Sequence, residues 1–279
     1  MIDHEKLEQL ERYSREIRKN LLILCHERGV HIGGALSSVE FVVSLFHHAM
    51  NIDPQNPSWE DRDRFIMSKG HCSATMYLTM AQRGYFEMSD VMENYKGHET
   101  RYGGHPCKAS CPELDSSSGS LGHGLPIAEG MALAGKLKGT KYRAYCLLGD
   151  GELCEGAIWE AAMAASRMKL GNLIAVVDRN HLCLDGFTED IMPLEPLADK
   201  WRDFNWNCVV VDGNNIEEVV RVLDSLPPAD SDVPTVIIAD TIKGKGVSFM
   251  ENVPEYHHRA IDEKQLEQAL LEVESSKQR

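Results

Sequence analysis

Asp150 and Asn180 each close an apolar run: Tyr142–Leu148 leads into Gly149-Asp150-Gly151, and Asn172–Val177 leads into Asp178-Arg179-Asn180. The 28 residues between Gly151 and Asn180 (152 to 179) have room for one helix and one strand. In a parallel sheet, strands joined by a helix end on the same edge. The two side chains are therefore expected side by side at the carboxyl edge, where α/β proteins bind ligands. A carboxylate and an amide, next to glycines that admit a close backbone, suit a magnesium ion that still needs phosphate oxygens. Gly-Asp-Gly alone is an ordinary tight-turn sequence. The partner asparagine at the right interval is what gives it a chemical meaning.

Histidines are the second chemical signal. Arg28-Gly-Val-His31-Ile-Gly33-Gly34, Met67-Ser-Lys-Gly70-His71 and Gly103-Gly104-His105-Pro106 each hold an imidazole among glycines. Ser116-Ser-Ser-Gly119-Ser-Leu121-Gly122-His123-Gly124 is a flexible polar loop before a helix start, suited to embracing an anion. Singly, each histidine reads as a turn or cap residue. Gathered at the ends of one sheet, they are what a site needs to hold sugar hydroxyls and move protons. Thr241-Ile-Lys243-Gly-Lys245-Gly246 is either a solvated turn or a lysine set over phosphate or substrate. His105-Pro-Cys107-Lys-Ala-Ser-Cys111 invites a zinc reading, but no fourth ligand stands at zinc spacing, so the cysteines read as packed or free thiols.

The elements that must position these residues alternate along the chain. Helical periodicity runs over 4–29, and Ser37-Ser-Val-Glu40 has the pattern of a capping box opening a helix through Met50. A short strand is expected at 64–67, a helix after His71, an Ala/Leu-rich helix over 125–138 and a strand at 143–148. A helix over 155–169, strands at 173–178, 208–211 and 235–239, a helix over 215–225 and a polar helix from about 262 complete the pattern. This is an α/β fold, a doubly wound, mostly parallel sheet flanked by helices, read as one domain over 1–279 with a helical tail. Forty-three per cent apolar residues supply a sizeable core, and no stretch approaches the roughly 20 apolar residues of a membrane span. Eight cysteines without disulfide rhythm and a charged N-terminus without a signal segment point to a cytoplasmic protein. A net charge of −14 speaks against nucleic-acid and anionic-membrane partners.

Gly149-Asp-Gly followed by Asn180 resembles the thiamine-diphosphate (ThDP) motif, and the ordered segments together resemble the transketolase family over nearly the whole chain. The matching stretches are Val30-His31-Ile-Gly33, Ser68-Lys-Gly70-His71, Gly104-His105-Pro106, Ser118-Gly119-Ser-Leu-Gly122-His-Gly124, Gly149-Asp-Gly-Glu-Leu-Cys-Glu155-Gly156 and Asp178-Arg-Asn180-His-Leu-Cys-Leu-Asp185-Gly186. The resemblance implies ThDP with Mg2+ held by Asp150, Asn180 and the backbone carbonyl of Leu182. His71, Gly119, Leu121, Gly149, Gly151, Glu155, Leu184, Lys243 and His257 would line the cofactor. Glu155 would reach across a subunit interface, Leu184 would face the thiazolium, His31, His71 and His105 would contact donor hydroxyls and help in proton transfer, and His257 keeps the place of the family's active-site histidine. One departure stands out, because Tyr256-His257-His258 carries a histidine where the family has glycine.

The resemblance covers only the first of the three domains of a complete transketolase. It implies the N-terminal subunit of a split enzyme that moves a two-carbon ketol unit from a ketose to an aldose. Such a subunit would be inactive without a chain bearing the pyrimidine-binding and C-terminal domains, in an expected α2β2 heterotetramer. The interface is expected to be large and apolar, above about 2,000 Å², with the small residues Gly156, Ala157, Ala161, Ala162 and Ala164 packed closely in it. Other readings are a subunit like those of 1-deoxyxylulose-phosphate synthase or an oxo-acid dehydrogenase, a split enzyme serving a sulfo- or branched-chain sugar, and a non-catalytic remnant. Intact Asp150, Glu155 and Asn180 oppose the last.

Overall fold

The computed structural model describes residues 3–275. Five strands, β1 (Arg64–Met67), β2 (Ala144–Gly149), β3 (Leu173–Arg179), β4 (Asn207–Asp212) and β5 (Thr235–Asp240), form one sheet in the order β1-β2-β3-β5-β4. Every pairing is parallel. The strands β1, β2 and β3 are nearly or wholly buried because helices cover both faces, which explains their continuous apolar runs.

Alternation along each strand divides the core in two. Phe65, Met67, Tyr145, Leu147, Ile174, Val176 and Ile237 face the layer built by the His4–Arg28, Ser73–Arg83, Ile216–Asp224 and Glu263–Ser275 helices. Ile66, Cys146, Leu148, Ala175, Val177, Val236 and Ile238 face the Gly124–Lys138, Gly156–Arg167 and Leu197–Asp203 helices, with Trp201 fully buried among them. The closing helix is no loose tail. Its Ala269 and Val273 are buried in the first layer.

Register places the site. Gly149 pairs with Asp178, and Asp178 with Ala239, so Asp150, Asn180 and Thr241 all emerge at the same edge. Ser68 and Lys69 leave β1 at that edge too.

The structure corrects the capping box. Residues 32–49 form two short helices, Ile32–Ser37 and Val39–Ser44, and then a π-turn at Leu45–Ala49. No side chain caps either helix. The Ser37 hydroxyl instead donates to Asp178 Oδ2 at 2.7 Å, and Glu40 pairs with Arg18 at 2.5 Å, both side chains buried. Tertiary partners won over the local ones because a buried guanidinium must be matched by a carboxylate. Of the small residues 156–164, Ala161 and Ala162 are spent on the chain's own second core, while Met163 remains half exposed. The two roles of Glu40 separate by magnitude. Loss of a capping residue costs about 1 kcal/mol, whereas removing one partner of a buried ion pair costs about 3–5 kcal/mol. Glu40→Ala is expected to show the larger loss in urea unfolding.

Candidate functional site

Asp178 is the hub of the site. Its buried carboxylate accepts hydrogen bonds from Ser37 Oγ (2.7 Å), Thr241 Oγ1 (2.5 Å) and Asn180 Nδ2 (3.0 Å), and it is ion-paired with Lys69 Nζ. Burial alone would raise this carboxyl, but Lys69 and the hydroxyl donors hold it below the usual carboxylate range. Burial likewise pulls the Lys69 ammonium down, and Asp178 reverses the sign so that the net shift is upward. Lys69 also donates to the Gly34 carbonyl at 3.0 Å. With its amide nitrogen committed to Asp178, Asn180 accepts from Leu182 N through Oδ1 at 3.2 Å. The side chain's orientation is thereby fixed.

Asp150 is buried, with Gly151 N at 2.8 Å, His181 N at 2.6 Å and Arg179 Nη1 at 3.2 Å. Burial, then the charge of Asp178, raises its pKa despite Arg179. A carboxylate held in this way gains from a cation. A Cβ on Gly151 would stand 2.9 Å from Cys183 Cβ, so the turn tolerates only glycine without a shift. One carboxylate and one amide form a hard-oxygen pair that fits a magnesium ion completed by phosphate. Among the described residues no three His, Cys, Asp or Glu side chains group as a metal site, Cys107 and Cys111 included. Cys111 is buried, with its thiol 3.4 Å from Glu113 Oε2.

The Leu182 carbonyl accepts from Lys243 Nζ at 2.8 Å, and so does that of Cys183 at 3.1 Å. A carbonyl has two lone pairs, so the Lys243 contact leaves Leu182 one. Lys243 is fully buried, and burial, then the charge of Lys69, lowers its pKa to about 8. The same ammonium lies 3.0 Å from His257 Nδ1.

The structure gathers the expected histidines and adds a fifth. The His31 ring lies 5.2 Å from His71, 6.0 Å from His105, 5.5 Å from His257 and 4.4 Å from His258, and His71 stacks on His257 at 5.4 Å. His123, by contrast, only precedes the Gly124–Lys138 helix and makes no side-chain cap bond. Burial lowers His31 to about 4 and His257 to about 3, helped by the neighbouring basic groups, and lowers His71 and His105 as well. These four rings are thus neutral at pH 7. Because Lys243 donates to Nδ1, neutral His257 carries its proton on Nε2 and is itself a donor there.

Glycine geometry shapes the polar loop. Gly119 and Gly122 have φ of 143° and 86°, which other residues rarely adopt. The loop is clamped by Glu152, whose buried carboxylate accepts from Gly122 N (2.9 Å), Gly149 N (3.0 Å) and Ser68 Oγ. Sequence reasoning passed over Glu152 in favour of Glu155, which is exposed and makes no side-chain hydrogen bond. Lys69, Arg179 and Thr241 were missed too. The only signal for Lys69 was a charged residue between a buried strand and Gly70. Leu121 and Leu184 are exposed at the site's mouth, with Phe187, Ile191 and Met192 also exposed on the segment following Leu184. A cleft of about 1150 Å³ beside β4 and β5, lined in part by Arg15, Asn214 and Glu272, includes none of these histidines.

This fold and this edge match known proteins. The family model "Transketolase, thiamine diphosphate binding domain" matches residues 23–273. The chain is 41% identical over 268 residues to one subunit of the apulose-4-phosphate transketolase of Actinobacillus succinogenes, covering 95% of this chain and 96% of that one. It is 39% identical over 266 residues to the 6-deoxy-6-sulfo-D-fructose transketolase subunit SqwG of a Clostridium species, again over 95% and 96%. The solved transketolase of Leishmania mexicana superposes with a TM-score of 0.88 at 26% identity, over 97% of this chain and 42% of that longer one. The chain belongs to the transketolase family, as its thiamine-diphosphate-binding domain. No helix among the described residues is long and apolar enough to cross a membrane.

Two outcomes test the electrostatics. Lys69→Met strands a buried carboxylate and should cost about 3–5 kcal/mol in urea unfolding. Lys69→Met combined with Asp178→Asn should recover part of that loss. For His31, the folded pKa near 4 lies below the ordinary 6.5, so unfolding takes up a proton between those values. Stability from this group is full above pH 6.5 and lost as pH falls toward 4. His31→Asn is therefore expected to lose less thermal stability than the wild type when the pH is lowered from 7 to 4.5.

Proposed function

We propose that this chain is the ThDP- and Mg2+-binding subunit of a two-chain transketolase that transfers a ketol unit from a ketose to an aldose. The observation that carries the reading is the convergence, at one sheet edge, of the Asp150–Asn180 oxygen pair and a ring of neutral histidines. Asp150, Asn180 and the Leu182 carbonyl would hold the metal, with Gly151 and the loop from Gly119 to Gly122 admitting the diphosphate. Lys243 and His71 would flank the diphosphate end and the ring end. When bound, ThDP supplies an electron sink for cleaving the bond beside a ketose carbonyl.

The remaining work falls to this chain's side chains. His31 and His105 offer ring nitrogens with no hydrogen-bond partner among the described residues to hydroxyls of the donor, and their lowered pKa values keep them neutral at pH 7, able to donate or accept a hydrogen bond. Lys243 fixes His257 as a donor through Nε2. Leu184, 62% exposed, would exclude water once a partner covers it. Exposed Phe187, Ile191 and Met192 and the unpartnered Glu155 suit an interface with a second chain. Two of the relatives are themselves named as subunits, which supports such a partner. An α2β2 heterotetramer in the cytoplasm is the assembly this implies. Unusual sugars, as in the names of those relatives, are the substrates it favours over ordinary pentose phosphates.

Reconstitution decides the assembly. Ketol transfer should require both chains, and robust turnover by this chain alone would overturn the reading. Asp150→Ala should abolish magnesium-dependent ThDP binding in calorimetry of the complex, since the ion loses its anionic ligand. His31→Ala, His71→Ala and His105→Ala should keep ThDP bound and lower turnover roughly 10²-fold.

A further inference from the structure

The ring of His258 has no task in ketol transfer as proposed, yet its place is built with care. Pro254–His257 form one 3-10 turn, and the chain then runs antiparallel to the segment after the first helix, with Val30 bridged to Arg259. One step along both segments sets His31 opposite His258. Their rings are 4.4 Å apart, the shortest of the four ring distances His31 makes within the cluster. Backbone pairing, not chance side-chain placement, puts the fifth imidazole there. It is exposed, and neither ring nitrogen has a hydrogen-bond partner among the described residues.

Lys96 stands beside the same pair. It adopts a left-handed backbone, φ 56°, which a non-glycine residue enters only when its surroundings impose it. Its ammonium donates to Gly29 O at 2.8 Å and Arg28 O at 3.4 Å, immediately before the Val30 bridge. An ammonium has three protons, so one remains to offer. The titratable neighbours of His31 include His258 and His105 in ring contact and the lysines Lys96 and Lys243, all of them basic residue types. In a chain of net charge −14, this gathering of basic side chains around His31 is a local exception.

We propose that His258 and Lys96 form a rim subsite for the end of the ketose remote from the cleaved bond, when that end is a tetrahedral oxyanion, either phosphate or sulfonate. This rests on the ketol-transfer reading and deepens it, because this chain then takes part in choosing the donor rather than leaving that to its partner. The chemistry favours an oxyanion over a hydroxyl. Charge-assisted donors bind anionic acceptors about twice as strongly as neutral ones, and His31 beside the rim holds the sugar hydroxyls.

The test uses the reconstituted two-chain enzyme with three donors: a ketose phosphate, a ketose sulfonate and an uncharged ketose. His258→Asn and Lys96→Met should each lower the ratio of kcat/KM for an anionic donor to that for the uncharged one by roughly tenfold, the value of one hydrogen bond to a charged group. Whichever anionic donor loses more identifies the group the rim serves. Unchanged ratios, or parallel losses on all donors, overturn the proposal. Titration of the histidine ring signals with inorganic phosphate and with methanesulfonate provides a readout without turnover. His258 should move in the wild type and move less in Lys96→Met. If the wild-type complex transfers no ketol unit, the proposed function fails, and this titration still decides the rim: a stationary His258 signal would sink it.

Discussion

The buried ion pair between Lys69 and Asp178 is the contact on which the site hangs. Asp178 gathers donors from the Ile32–Ser37 helix, the end of β1, its own strand end and the residue after β5. Four separate segments are thereby tied at one point of the sheet edge. An ion pair this deep is weak evidence for net stability, because desolvation opposes the attraction. Its value here is geometric. With the amide nitrogen of Asn180 drawn to Asp178, its oxygen is turned toward Leu182 N, and Gly34 and His71 are held close to the same lysine.

A second tier of buried carboxylates shapes what surrounds that point. Glu152 pins the Gly119–Gly122 loop to the end of β2, while Arg179 gathers Asp150, Glu189 and Glu195. Asp150 is thus both desolvated and partly matched, and burial with the nearby Asp178 charge raises its pKa. The chain keeps its charges deep and its inner histidines neutral. That division puts buried ionic groups at one end of the site and neutral hydrogen-bonding rings at the other.

Leu121 and Leu184 are exposed, and so are Phe187, Ile191 and Met192 on the segment that follows Leu184. Exposed large apolar side chains near a polar site are the kind of surface that protein–protein contacts use. An unpartnered Glu155 beside them fits the same picture.

Periodicity and turn residues made the strands, the helices and their parallel order legible, because a sheet covered on both faces writes long apolar runs into the sequence. The interval from Gly151 to Asn180 sufficed to put Asp150 and Asn180 on one edge, since strands in parallel register end together. The glycine-bound histidines were legible as residues and as a resemblance. What only tertiary structure decided is which polar groups meet inside. Ser37 and Glu40 read as a local cap, yet each is taken by a partner far along the chain, Asp178 or Arg18. Lys69 and Glu152 carried no reading of their own in the sequence, and burial makes them structural. Nor does spacing show that the bridge between Val30 and Arg259 sets His258 against His31, because that pairing joins segments from opposite ends of the chain. Local sequence encodes period and turn chemistry. The cost of leaving a buried charge unmatched can be met only by a residue that folding brings from elsewhere.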